Sequence, residues 1–266
     1  MKYIDTHAHV FSHQTNFLAT ARYTPSYTVN VEDYINCLDT NGFDKGVLIQ
    51  PSFYGNDNSY MLEAIQRYPD RLKGIAVLDC STDMATLLKL EKQGIVGTRL
   101  NLFGLPCPNL TDLKWQDFLS NIATLNWQVE IHAPVSYLLQ LLPALNEYKI
   151  NVVIDHFGRF SPNLGVKDPE YQRFLEIINP IQHWIKVSGY YRVDNNLSIQ
   201  NATEAFKLLK QYGMESRLIW GSDWPHTQFE DKISFEKSLN DFKFIVNNDE
   251  LLNQILTKNN ASLFGF

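Results

Sequence analysis

The sequence predicts a (β/α)8 TIM barrel built as a single domain over residues 1–266. Three observations predict it. Eight short apolar, β-branched runs recur along the chain, amphipathic helical patterns separate them, and no linker or low-complexity stretch interrupts the series. Near-continuous apolar strands suit a sheet buried on both faces, which is the parallel kind. The main alternative is a doubly wound open sheet. It calls for a Gly-rich phosphate turn after the first strand, and the sequence has none there.

Taken in order, the first run is YIDTHAH (3–9). Strand side chains at i and i+2 point the same way, about 6–7 Å apart. Asp5, His7 and His9 therefore share one face, and Ile4, Thr6, Ala8 and Val10 the other. A long connection (10–30) follows, carrying Phe17, Tyr23 and Tyr27, and long loops of this kind often act as lids. VEDYINCLDTNG then places Val31, Tyr34, Ile35 and Leu38 on one helical face, with Gly42 as its stop. The second strand is KGVLIQ (45–50). Its helix starts at Asn58 or Ser59 and turns Met61, Leu62, Ile65 and Tyr68 inward.

The remaining strands are KGIAVLD (73–79), IVGTRLN (95–101), WQVEIHA (127–133), INVVIDH (150–156), WIKVSGY (184–190) and RLIWGSD (217–223). The helical patterns ATLLKLEKQG, DFLSNIATLN, SYLLQLLPALNEY, PEYQRFLEII, NATEAFKLLKQYG and EKSLNDFKFIV alternate with them. Pro143 should kink or restart the helix that contains it. DELLNQILTKNNASLF closes the chain as a last helix.

The composition is that of an ordinary globular protein, 44% hydrophobic and 20% charged. A net charge of −6 argues against a general nucleic-acid binder. No run of 18 apolar residues is present, so no membrane span is expected. Cys37, Cys80 and Cys107 are far apart with no C-x-x-C, which suits reduced thiols in a cytoplasmic protein, and no signal peptide is evident. Cys80 and Cys107 read as buried small side chains, because neither has a histidine nearby to activate it. Barrels often pair through their helices, so a homodimer is compatible with the sequence, although no face singles out an interface.

In a barrel of this kind the active site lies at the C-terminal ends of the strands. His7 and His9 fall there from strand 1, Arg99 and Asn101 from strand 4, and Glu130 and His132 from strand 5. Strand 6 brings Asp155, His156 and, just beyond, Arg159; strand 7 brings Ser188, Tyr190, Tyr191 and Arg192; strand 8 brings Ser222, Asp223 and His226. Of the seven histidines only His183 lies elsewhere. Independent strands converging on one mouth describe a catalytic rim.

The segments IDTHAHVF, VVIDHFGR and LIWGSDWPH resemble the amidohydrolase superfamily. More narrowly, they are similar to its small-lactone hydrolases, such as the 2-pyrone-4,6-dicarboxylate and sugar-acid lactonases. Metal-dependent decarboxylases of aromatic and muconic acids form the neighbouring branch. The resemblance runs from strand 1 to strand 8. It implies a distorted (β/α)8 barrel, a strand 1 histidine pair, a strand 6 histidine and a strand 8 aspartate that activates water. On this chain those positions are His7, His9, His156 and Asp223. The chemistry suits the residue types: an aspartate can take a proton from water, and imidazoles can stabilise the oxyanion that forms on an ester carbonyl.

Arg99, Arg159 and Arg192 would clamp carboxylates by charge-assisted pairs of hydrogen bonds, which suggests an anionic substrate. Tyr54, Tyr190 and His132 are further candidates for substrate contact. The resemblance to the dicarboxylate lactonases implies a site that works without a metal, and the expectation here is that no cofactor is required. His132 departs from that pattern, because in metal-dependent branches a strand 5 histidine is a ligand. His7, His9, His132 and Asp223 are thus the alternative set for Zn²⁺. Strand 4 carries Arg99 and no lysine, so a two-metal site bridged by a carboxylated lysine is not expected.

The leading expectation is a hydrolase that opens a small carboxylated lactone. The alternative is a Zn²⁺-dependent non-oxidative decarboxylase. A barrel that binds a small anionic metabolite without turnover is the reading from a different class.

Overall fold

A computed structural model of the chain describes residues 2–266. The strands are β1 (Tyr3–Ala8), β2 (Phe43–Ile49), β3 (Leu72–Ala76), β4 (Ile95–Asn101), β5 (Gln128–His132), β6 (Val152–Ile154), β7 (His183–Lys186) and β8 (Leu218–Ile219). All neighbours pair in parallel, in the order of the sequence. Helices α1 (Val31–Thr40), α2 (Ser59–Arg67), α3 (Met84–Lys92), α4 (Leu113–Thr124), α5 (Val135–Leu145), α6 (Pro169–Ile177), α7 (Gln200–Gln211) and α8 (Phe235–Val246) follow the successive strands. This is the (β/α)8 barrel that the alternation predicts.

Local chemistry sets the helix starts. Asn30 and Asp33 form a reciprocal capping box at α1, and Asp83 and Ser234 cap α3 and α8 through their side chains. At α2 the cap is Asn58, but its side chain turns away to the carbonyls of Asn56 and Val77 and ties the β3 loop to the helix start.

The barrel closes irregularly between β8 and β1. The Thr6 N–H donates to the Trp220 carbonyl (3.2 Å), Asp223 to His7 (2.8 Å) and His9 to Trp224 (2.8 Å). The expected strand at 217–223 is therefore only two residues long as a ladder, because the backbone beyond Ile219 bends to reach β1. The expected ends at 79, 156 and 190 likewise shorten to Ala76, Ile154 and Lys186, since the chain leaves the ladder to form the mouth.

Pro143 does not break α5, which runs unbroken from Val135 to Leu145. It sits in the last turn, where it removes a single helix hydrogen bond, and the buried stripe Leu138, Leu141, Leu142 and Leu145 holds the helix to the sheet. The last helix is α9 (Asp249–Gln254) and α10 (Asn260–Phe264), joined by a π-helical turn at Ile255–Asn259. That turn aims Asn260 inward, where its amide donates to the Ile4 carbonyl at 2.7 Å.

Inside the barrel, Val47, Ile49, Ile75, Val153, Trp184 and Ile219 pack as an apolar layer closed by Phe264. Two residues further along the strands the same face turns polar. Asp155 follows Val153 and Lys186 follows Trp184, joining Arg99, Glu130 and His7, all buried. That polar layer is the floor of the mouth.

The 10–30 connection is pinned at its base by the Phe11–Val29 bridge and by Phe11, Tyr27 and Phe53 packing edge to face. Cys37, Cys80 and Cys107 are free and half-buried. Among the described residues no helix is long and apolar enough to cross a membrane.

Candidate active site

A cavity of about 180 Å³ opens at the C-terminal ends of the strands. His9, Arg99, His132, His156, Arg159, Arg192 and Asp223 line it, and His7 lies directly beneath. Backbone strain concentrates here. Among the described residues, nine non-glycine residues have positive φ, and six of them are His156, Phe157, Arg159, Asp223, His226 and Gln228. Such left-handed residues each cost about 1–3 kcal/mol and persist where the surrounding fold imposes them for a purpose.

Asp223 is the centre of the arrangement. Its Oδ2 accepts from Arg192 Nε at 2.5 Å and from the Tyr191 hydroxyl at 2.6 Å. Its Oδ1 faces His7 Nε2 at 3.8 Å and His9 Nε2 at 3.9 Å, too far for hydrogen bonds and close enough for one small molecule to bridge. Burial alone would raise the pKa of this carboxyl. The Arg192 guanidinium, joined by His156, His7 and His9, outweighs burial and holds it well below the usual carboxylate range.

The imidazoles are uncharged near neutral pH. Burial, then Arg99, lowers His9 to about 4, and burial lowers His156 to about 3. Burial, then Lys186, takes His7 well below its ordinary value. Each ring is also oriented. His9 Nδ1 lies 2.7 Å from the Ile49 carbonyl, which can only accept, so Nδ1 carries the proton and Nε2 is bare. In this tautomer His9 presents a lone pair, not a donor, toward Asp223. His156 Nδ1 meets Ser188 Oγ at 3.1 Å, and His132 Nδ1 meets Asn101 Oδ1 at 3.2 Å. His132 Nε2 is buried without a partner.

The three arginines differ. Arg99 is committed to Asp155 through Nη2 (2.7 Å) and Nε (3.1 Å), and Arg192 to Asp223. Both line the cavity with their guanidinium groups already paired to buried carboxylates. Arg159 is the free one. Its guanidinium donates to the Arg192 carbonyl at 2.7 Å, stacks 4.4 Å from the Phe103 ring and, among the described residues, pairs with no carboxylate. Burial, then the neighbouring Arg192, lowers it to about 10. Arg22, from the 10–30 connection, also lines the cavity beside Phe103. That residue was not singled out in the sequence, and its position depends on a loop with no strand or helix periodicity.

Tyr54 and Tyr190 do not line the cavity. The Tyr54 hydroxyl takes the Ser12 N–H at 2.7 Å and serves the 10–30 connection, whereas the Tyr190 hydroxyl bonds Asp241 of α8. Residues 190–192 form one 3₁₀ turn, so adjacent side chains diverge and Tyr191, rather than Tyr190, reaches Asp223.

A buried network missed in the sequence lies under the site. Lys186 Nζ is 2.9 Å from Glu130 Oε2, 3.1 Å from His7 Nδ1 and 3.2 Å from Asp155 Oδ1. A lysine in an otherwise apolar run, in phase with Trp184 and Ser188, was its available signal. Burial raises Glu130 to about 7, against the pull of Lys186.

Two triplets bring ligand atoms close enough to hold a metal ion: His7, His9 and Asp223, and His7, Asp155 and His156. His132, expected as the fourth ligand, belongs to neither. Lys186, Arg99 and Arg192 already balance Glu130, Asp155 and Asp223, and Arg159 adds a positive charge. A divalent cation would raise this surplus, and an anion would offset it.

The sequence profile of the amidohydrolase family matches residues 4–266. A 4-sulfomuconolactone hydrolase of Hydrogenophaga intermedia is 28% identical over 268 residues, covering 98% of this chain and 88% of that protein. A 2-pyrone-4,6-dicarboxylate hydrolase of Comamonas testosteroni is also 28% identical, covering 98% and 89%. A crystal structure from Acinetobacter baumannii, named as a probable 2-pyrone-4,6-dicarboxylic acid hydrolase and solved with citric acid bound, is 54% identical. It superposes over 100% of both chains with a TM-score of 0.98. A 2,6-dihydroxybenzoate decarboxylase, 14% identical with a TM-score of 0.71, shares the fold. With the profile spanning nearly all of its length, the chain belongs to the amidohydrolase family.

Proposed function

We propose that the chain hydrolyses a small carboxylated lactone, of the 2-pyrone-4,6-dicarboxylate or sugar-acid kind, without a metal. The observation that carries this reading is the half-engaged Asp223 carboxylate: one oxygen is clamped and the other faces His7 and His9, with His156 packed beside His7 and the Arg159 guanidinium, which pairs with no carboxylate among the described residues, lining the same cavity.

Water held between Asp223 Oδ1 and the bare His9 Nε2 attacks the lactone carbonyl as Asp223 takes its proton. His7 and His156, with ring centroids 5.0 Å apart, flank the developing oxyanion. The ring C–O bond then breaks, and the proton on Asp223 passes to the leaving oxygen. Arg159 binds a substrate carboxylate, with Arg99 and Arg192 adding positive field, and His132 offers its unpartnered Nε2 to the substrate. Citrate bound to a relative 54% identical is consistent with a polyanion site. Three free cysteines suit the reducing cytoplasm.

The test is hydrolysis of 2-pyrone-4,6-dicarboxylate, followed by absorbance, on enzyme prepared with and without chelator. Equal turnover in both is expected. Activity lost on chelation and restored by Zn²⁺ would overturn the metal-free reading and favour the decarboxylase branch. A lactone that binds tightly and is never converted would make the barrel a binder.

A further inference from the structure

Lys186 is a fully buried lysine in a barrel interior, and the reaction above gives it no task. An ammonium has donors and no acceptor: Lys186 hydrogen-bonds to Glu130 Oε2 (2.9 Å) and His7 Nδ1 (3.1 Å) and forms an ion pair with Asp155 Oδ1 at 3.2 Å. A nitrogen that accepts from lysine must present a lone pair. With Nδ1 facing a donor-only ammonium, the ring proton lies on Nε2. That Nε2 is buried, has no hydrogen-bond partner in the protein, and points toward the free oxygen of Asp223.

We propose that Lys186 is a positioning residue that locks the His7 tautomer: it occupies the lone pair of Nδ1, holds the proton on Nε2, and so makes His7 a hydrogen-bond donor to the oxyanion rather than a metal ligand. The alternative tautomer is built into the same site. Asp155 Oδ1 lies 3.6 Å from His7 Nδ1 and, although ion-paired with Lys186, accepts no hydrogen bond. Without the lysine, Asp155 becomes the nearest partner, the proton moves to Nδ1, and Nε2 turns bare. His7 Nε2, His9 Nε2 and Asp223 Oδ1 then form three unprotonated ligand atoms within reach of one ion. One lysine on β7 thus separates an oxyanion-donor site from a metal site. The inference rests on the proposed lactonase reading for its kinetic consequence only, because the tautomer is read without substrate.

The experiment is nitrogen NMR of the full chain labelled with ¹⁵N-histidine, with the His7 signals identified by their loss in His7→Gln. The wild type is expected to show a protonated Nε2 and a bare Nδ1. The reverse pattern overturns the proposal whatever the substrate proves to be. In Lys186→Met the pattern is expected to invert, kcat to fall about 100-fold with KM nearly unchanged, and zinc carried through gel filtration to rise above the wild-type level. Lys186→Arg, which keeps a donor, should retain the wild-type tautomer. If Lys186→Met does not fold because Glu130 is left unpaired, the pair Lys186→Met with Glu130→Gln carries the same readout. An unchanged His7 tautomer in either folded variant overturns the lock.

Discussion

Arg192 and Asp223 form an ion pair in which only one carboxylate oxygen is engaged: Nε lies 2.5 Å from Oδ2, and Oδ1 is left to face His7 and His9. The pair fixes the carboxylate plane and keeps it ionised while leaving a lone pair free for water. Asp223→Asn retains the shape and loses the base. We expect kcat to fall about 10³-fold, with KM within a few-fold and an unchanged circular dichroism spectrum. A variant with substantial turnover would remove Asp223 from the base role.

Asp223, His9 and His156 should each hold one protonation state across the physiological range. Arg192 keeps Asp223 ionised well below its usual pKa, and burial holds His9 at about 4 and His156 at about 3. A lowered histidine pKa means that protonation, and loss of the bare Nε2, comes only as pH falls toward that value. The expected kcat/KM profile is flat from pH 8 to about 6, with an acid limb approaching pH 4. A limb centred near 6.5 that persists in Glu130→Gln would show a histidine with an ordinary pKa in the catalytic step.

Arg159 and Arg99 should separate binding from stability. Arg159→Met removes an unpaired cation, so KM for a dicarboxylate is expected to rise about 10- to 100-fold with Tm nearly unchanged. Arg99→Met strips a buried guanidinium from Asp155 and is expected to cost about 3 kcal/mol of stability in chemical denaturation. Equal effects on KM from both would contradict the division.

Gly189 has φ +60°, and a Cβ there would lie 2.7 Å from His156 Nδ1. Gly189→Ala is expected to lose about 1–2 kcal/mol for the left-handed backbone and to displace His156, lowering kcat more than it raises KM. Full activity in a folded variant would show that the ring position is not critical.

Much of this was legible in the chain. The alternation of apolar runs with 3.6-residue patterns gave the barrel, and strand order followed because each helix returns the chain to the next parallel position. His7, His9, His156 and Asp223 were legible because each stands at a strand end, and strand ends of such a barrel share one mouth. Which of Tyr190 and Tyr191 reaches Asp223 is not legible, because the chain turns into a 3₁₀ helix after β7, where period-2 reasoning no longer applies. Arg22 was invisible because it reaches the cavity through a loop whose path depends on distant aromatic packing.

By itself the sequence determined the architecture and the residues that meet, because periodicity and the direction of parallel strands are local properties of the chain. Only the tertiary structure decided which charges are spent on one another. Arg99 and Arg192 are neutralised by partners 56 and 31 residues away, Arg159 is left free, and Lys186 reaches His7 across 179 residues of chain. Those pairings depend on distances of a few ångströms between side chains on different strands, which no local pattern encodes.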